Sequence, residues 1–150
     1  MQKPMKKLFL LLCLVLCSVL QGQAKEITLF NSDGEAVAYI DDSDSDLPIY
    51  MWDGTPVAYL APSNSDYYHV YGFNGLHLGW YERGVVRDHD GNVVGFQQGA
   101  MSKSTRYEPY KRYKKSKPYK YSPKDPPSKA YNKSSFSYIS LALFLLKGKR

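Results

Sequence analysis

The chain has almost no cysteine: its only two, Cys13 and Cys17, fall in an apolar run near the start. Disulfides, Cys-ligated zinc and cysteine nucleophiles are therefore excluded together from everything that follows. Long apolar runs are missing too. Leu8 to Leu20 is thirteen residues and Phe136 to Leu146 eleven, against the roughly 20 that a membrane-crossing helix needs, so no transmembrane span is expected. Basic side chains are scarce from 25 to 100, where Lys25, Arg83 and Arg87 stand against twelve acidic residues for a net charge of −9. From 101 to 150 the balance reverses, with fourteen basic and two acidic residues and a net of +12. The two parts should attract each other within the roughly 8–10 Å over which salt leaves charges visible.

A catalytic constellation is also lacking: there is no nucleophile elbow, oxyanion loop or Gly-rich phosphate cradle. Asp88-His89-Asp90 could be cast as the carboxylates of a wall-polymer hydrolase, the weakest alternative. His69, His77 and His89 have no helical metal spacing, and the strand register below puts His77 and His89 on different faces, which argues against a shared site. Asp41, Asp42, Asp44 and Asp46 space carboxylates as Ca²⁺ could use them, but the glycine and terminal glutamate of a calcium loop are absent, so a solvated charged loop is the plainer reading. No cofactor, no metal and no enzymatic activity are expected.

What is present begins with Lys3, Lys6 and Lys7, then the apolar run, then small residues around Gly22 and Ala24. This pattern predicts a secretory signal peptide over 1–24 and export to a periplasm, a cell surface or the medium. An exported domain without disulfides fits a bacterial compartment.

The main feature is a repeat. Asp33-Gly34, Asp53-Gly54, Asn74-Gly75 and Asp90-Gly91 each sit in the same apolar pattern, at turn-to-turn spacings of 20, 21 and 16 residues. Asp-Gly and Asn-Gly favour type I′ turns in two-residue hairpin loops. Residues 25–100 are therefore expected to be all-β, four hairpins forming an eight-stranded antiparallel meander, as an open stacked sheet or a small barrel. The turns predict that Phe30 faces Val37, Tyr50 faces Val57, Tyr71 faces Leu78 and Arg87 faces Val94. The adjacent pairs Leu29 with Ala38, Ile49 with Ala58, Val70 with Gly79 and Val86 with Gly95 then point the other way. One face is aliphatic opposite small residues, as a tight seam requires. The other is aromatic and includes Tyr39, Tyr59, Trp80, Phe96, Trp52 and Phe73.

Residues 101–134 turn to Lys, Tyr, Pro and Ser, which predicts a disordered or polyproline-like basic linker. Residues 135–150 carry the short apolar segment, expected to dock on the sheet as a helix or strand, or to dip into an anionic membrane surface. Lys111, Arg112, Lys114, Lys115, Lys117 and Lys120 are the candidate contacts to an anionic cell-envelope polymer, a lipid surface or a protein partner. Export argues against nucleic acid. The aromatic face offers a second candidate, sugar rings stacking on its aromatic side chains.

The series VAYI, VAYL and HLGWYERGVVRDHDGNVVGF with its Lys/Tyr/Pro-rich continuation resembles the small exported bacterial family described as four-fold beta flanked proteins of Gram-negative Bacteroidota. That resemblance implies an envelope or secreted protein of no established activity. The repeat is more weakly similar to MORN and choline-binding cell-wall repeats, without their full glycine and tryptophan patterns. The sequence reads best as a non-catalytic exported module with a basic tail, with glycan binding as the alternative.

Overall fold

The four turn glycines take left-handed backbone, with φ of 75° at Gly34, 87° at Gly54, 86° at Gly75 and 84° at Gly91, but the Asp or Asn before each does not. The turns in this computed structural model, which describes residues 25–150, are therefore not type I′. Each glycine N–H donates to the carbonyl three residues back, as Gly34 does to Asn31 at 2.9 Å and Gly91 to Asp88 at 3.0 Å. That is a type I turn followed by a glycine bulge. Its cause is local: Asn31, Asp53, Asn74 and Asp88 each accept backbone N–H groups on a side-chain oxygen and hold the turn in the right-handed region. Two consecutive left-handed residues occur instead in the link Arg83-Gly84, at φ of 50° and 80°. The expected signal peptide, with Cys13 and Cys17, lies outside the described residues.

The bulge corrects half of the expected register. Leu29 faces Ala38, Ile49 faces Ala58, Val70 faces Gly79 and Val86 faces Gly95 as the repeat predicts, but Phe30 pairs with Ala36, Tyr50 with Pro56, Tyr71 with His77 and Arg87 with Val93. One extra residue per hairpin is thus left on the returning strand. Val57, Leu78 and Val94, the extra residues of three copies, join the buried aliphatic cluster, and Val37 packs against it.

Strands β1 (Glu26–Phe30), β2 (Ala36–Asp41), β3 (Pro48–Met51), β4 (Pro56–Pro62), β5 (Tyr68–Gly72), β6 (His77–Glu82), β7 (Val85–Arg87) and β8 (Val93–Phe96) pair in sequence order. Phe30 opposite Phe96 joins β1 to β8, so the meander is a closed barrel. Closure leaves no edge strand for another chain to pair with.

The aliphatic face is the inside of the barrel, and the apolar C-terminal segment fills it rather than docking on an outer face. Helix α1 (Leu141–Leu146) starts at Ser140, whose hydroxyl oxygen accepts the Leu143 N–H at 3.3 Å. Leu141, Phe144 and Leu145 are buried in one cluster with Leu29, Ile40, Ile49, Leu60 and Val70. The small residue in each copy makes room: a Cβ on Gly95 would sit 2.7 Å from Leu141 and one on Gly79 3.1 Å from Phe144.

Residues 101–134 have no helix or strand, as their prolines and charge predict, yet they are a fitted belt and not a loose linker. The N–H groups of Arg106, Lys115, Lys124 and Lys133, spaced nine residues apart, donate to the carbonyls of Gly34, Gly54, Gly75 and Gly91 at 2.7, 2.9, 2.9 and 3.0 Å. One belt repeat serves one hairpin. Met101 and Phe136, at the two ends of the circuit, pack on the same cluster of Phe30 and Phe96. A disordered segment gains nothing from ordering unless it finds contacts; here the turn carbonyls and the oppositely charged barrel supply them.

Gly54→Ala tests this fit. The new Cβ would need left-handed backbone and would meet the Tyr113 carbonyl oxygen. The expected loss is about 1–2 kcal/mol in denaturant melts, with faster amide exchange at Lys115.

Candidate functional site

The outer surface of the barrel consists of four crevices where neighbouring hairpins meet, and in three of them a belt lysine fills an aromatic cage closed by a carboxylate. Lys111 Nζ lies 4.3 Å from the Tyr39 ring centroid and 5.2 Å from that of Trp52, and pairs with Glu26. Lys120 lies 4.2 Å from the Tyr59 ring and 2.6 Å from Asp46 Oδ1. Lys129 lies 5.3 Å from Tyr67, 5.7 Å from Trp80 and 3.2 Å from Glu82 Oε2. These three are also nine residues apart in the chain. A cation over a ring face is attracted by the ring quadrupole, the more so when partly desolvated. The fourth crevice holds Phe30, Phe96 and Phe136, with Lys103 Nζ 4.9 Å from the Phe136 ring centroid and no carboxylate paired to it among the described residues.

Two further lysines finish the pairing. Lys114 bridges Glu26 Oε1 at 3.0 Å and Asp41 Oδ2 at 2.8 Å, and Lys117 bridges Asp44 at 2.6 Å and Asp46 at 3.1 Å. Burial pushes the Glu26 and Asp41 carboxyls up, but the lysine hydrogen bonds outweigh it and hold both below the ordinary carboxylate range. Asp44 is lowered chiefly by Lys117 and Asp46 by Lys120. Asp41, Asp44 and Asp46 of this loop are therefore paired by the belt, while Asp42 stays exposed without an ion pair among the described residues. Burial, followed by the Glu26 charge, pushes the Tyr39 hydroxyl up to about 12.

The aromatic candidates do not form an open surface. Tyr39, Tyr59, Trp80, Phe96 and Phe73 are buried, and half-buried Trp52 donates its Nε1–H to the Pro109 carbonyl at 3.2 Å. Among the basic candidates, Lys111, Lys114, Lys117 and Lys120 face inward to carboxylates, Lys115 donates to Thr55 Oγ1 at 3.2 Å, and Arg112 is exposed without an ion pair among the described residues.

The histidines are placed together, against the expected separation. His69 Nδ1 is 3.0 Å from His77 Nε2, and His77 Nδ1 is 2.9 Å from His89 Nε2. The bulge puts His77 outside the barrel, and the type I turn lays His89 parallel to it, the two rings 8° apart. Two hydrogen bonds among three rings need at least one nitrogen of each bond unprotonated. No group of three His, Cys, Asp or Glu among the described residues is arranged to hold a metal ion. Asp88 accepts the N–H groups of Asp90 and Asn92 and so builds the turn, and with His89 and Asp90 it lines a cavity beside helix α1.

Burial, then the neighbouring histidines, lowers His77 to about 4 from an ordinary 6.5. The folded state therefore resists protonation. Its stabilisation is complete above about pH 6.5 and is lost as pH falls through 4, amounting to at most about 3 kcal/mol. His77→Gln should flatten the stability profile between pH 6.5 and 4 in denaturant melts; an unchanged slope would contradict the burial argument.

Taken together, the molecule is a closed barrel of four pseudo-equivalent hairpins with a helix at its centre and its own tail as a belt. A family model described as the 4-fold beta flower protein matches residues 27–145, hairpins, belt and helix included, and the chain belongs to that family. No curated protein and no solved structure matches it.

Proposed function

We propose that this chain is a non-catalytic, exported structural and interaction module of a Bacteroidota-type cell envelope, meeting an anionic polymer, a lipid surface or a protein partner through the outer side of its belt. The observation that carries this reading is the division of the basic residues. The cages and bridges use Lys111, Lys114, Lys117, Lys120 and Lys129, whereas Lys103, Arg112, Lys115, Lys124, Lys133, Lys147, Lys149 and Arg150 make no ion pair among the described residues. Exposed tyrosines stand between them, with Tyr107, Tyr110, Tyr113, Tyr119 and Tyr131 all at least 87% exposed. Such a band attracts anions and leaves ring faces available for contact. Glycan binding, the second reading, is favoured by these same tyrosines and not by the buried rings.

Truncation at residue 100 would remove Leu141, Phe144 and Leu145 from the core, so substitutions on the belt's outer side make the better test. Capture on lipopolysaccharide and wall-polymer fractions should weaken with salt and fall on combining Arg112→Ala, Lys115→Ala, Lys124→Ala and Lys133→Ala. Capture indifferent to salt and to all four changes would overturn the electrostatic reading. Loss on replacing Tyr110, Tyr113 and Tyr119 by Ser, with salt dependence absent, would favour the glycan reading.

A further inference from the structure

The end of the barrel that carries the Asp-Gly and Asn-Gly turns differs from the rest of the surface. The segment after the belt enters there: Asn74 of the third turn donates its Nδ2–H to the Lys147 carbonyl at 2.7 Å and its backbone N–H to that of Gly148 at 3.2 Å. Helix α1 is buried on the side of Leu141, Phe144 and Leu145, which leaves Leu143 and Leu146 on the opposite side, 61% and 42% exposed. Leu76, exposed at the tip of the third turn, and fully exposed Tyr138 border a cavity of about 580 Å³ beside the helix, walled further by Phe144, Ile139 and Lys147. These are the apolar residues that a soluble surface would hide first.

Around this apolar centre runs a basic rim. Arg106, Lys115, Lys124 and Lys133 are pinned to the four turns by their backbone N–H groups, and Lys147 and Lys149 follow the helix directly. The turn acids Asp33, Asp53, Asp88 and Asp90 lie on the same end and reduce its charge, as does Asp125 beside Lys124, and Glu35 partly offsets Arg106 at 3.8 Å. With Arg150, whose guanidinium lies over the Tyr121 ring, the basic groups still outnumber the acids.

We infer that this end is a docking face for an anionic lipid bilayer surface, with Leu143, Leu146, Leu76 and Tyr138 entering the headgroup boundary and the surrounding lysines and arginines meeting lipid phosphates. The inference deepens the proposed function by choosing a lipid surface and one face. Apolar insertion combined with basic residues near the surface is the pairing that interfacial binding requires, since neither alone holds a protein durably on a membrane. No helix among the described residues is long and apolar enough to cross a membrane, so the contact is peripheral. Leu143 and Leu146 lie outside the walls of the cavity and project beside it, and the basic rim around them matches lipid phosphates, so a flat anionic surface fits this face better than a segment seated in the groove.

The test is flotation of the chain from Lys25 onward with vesicles of phosphatidylcholine containing roughly one-quarter phosphatidylglycerol, and with neutral phosphatidylcholine vesicles. Binding is expected to the mixed vesicles and little to the neutral ones. Leu143→Ser with Leu146→Ser should weaken it on the order of tenfold while leaving the melting temperature in place, because both side chains are exposed. Lys147→Glu with Lys149→Glu should weaken it independently. No binding to the mixed vesicles at low salt, or binding that the leucine pair leaves intact, overturns the inference. Retention on soluble polyphosphate without vesicle binding overturns it while leaving the proposed function standing; loss of both overturns the two together.

Discussion

Leu145→Asp should leave the chain without a cooperative unfolding transition. Leu145 is fully buried at the centre of the barrel among residues from the surrounding strands. Removing a buried leucine costs about 2–5 kcal/mol, and an unpaired carboxylate in its place adds several more. A domain of this size has about 5–15 kcal/mol in all. Leu145→Ala, which incurs only the first cost, should still fold with a lowered melting temperature. Near-UV circular dichroism and thermal melts distinguish the cases; an aspartate variant that melts like the parent would show that α1 contributes nothing to the core.

The second large effect is release of the belt. Replacing Lys111, Lys120 and Lys129 together by alanine empties three cages, removing five cation–ring contacts and their partly buried ion pairs. At about 1–2 kcal/mol per cage and with the cages in separate crevices, the losses should add to roughly 3–5 kcal/mol. Amide exchange at Lys115 and Lys124, whose N–H groups bond the turn glycines, should accelerate on the order of 100-fold or more, and trypsin should cut after exposed Arg112. Each single substitution should do much less. If the triple variant exchanges like the parent, the backbone bonds alone hold the belt.

Much of this architecture was legible because hairpins are local. The glycine pairs and the alternation around them give the strands, their order and the inward seam of Leu29 with Ala38 and its equivalents. What misled was one residue per turn. An Asp or Asn before glycine is compatible with either turn family, and a side-chain oxygen accepting backbone N–H groups, as Asn31 and Asp88 do, tips it to type I plus bulge. That single extra residue moves Val57 and Leu78 inside and sends His77 out to meet His69 and His89. The cages were written less openly. Composition hides a repeat of nine residues that never forms a helix or strand, although Lys111, Lys120 and Lys129, together with Pro109, Pro118 and Pro127, keep its phase in the sequence. Whether the meander closed, and what filled it, depended on contacts between residues more than 100 apart, such as Leu29 with Leu141, which no local pattern reports.

Helix α1 follows all eight strands and the belt in the chain, and this order sets the timing of folding. A growing polypeptide that has reached the end of the belt possesses all eight strands and nothing to wrap them around. Ribosomal stalling or a protease nick upstream of Leu141 therefore yields no smaller, independently viable version of the molecule. Completion must await Leu141 to Leu146, so damage to that one short stretch is damage to the whole molecule.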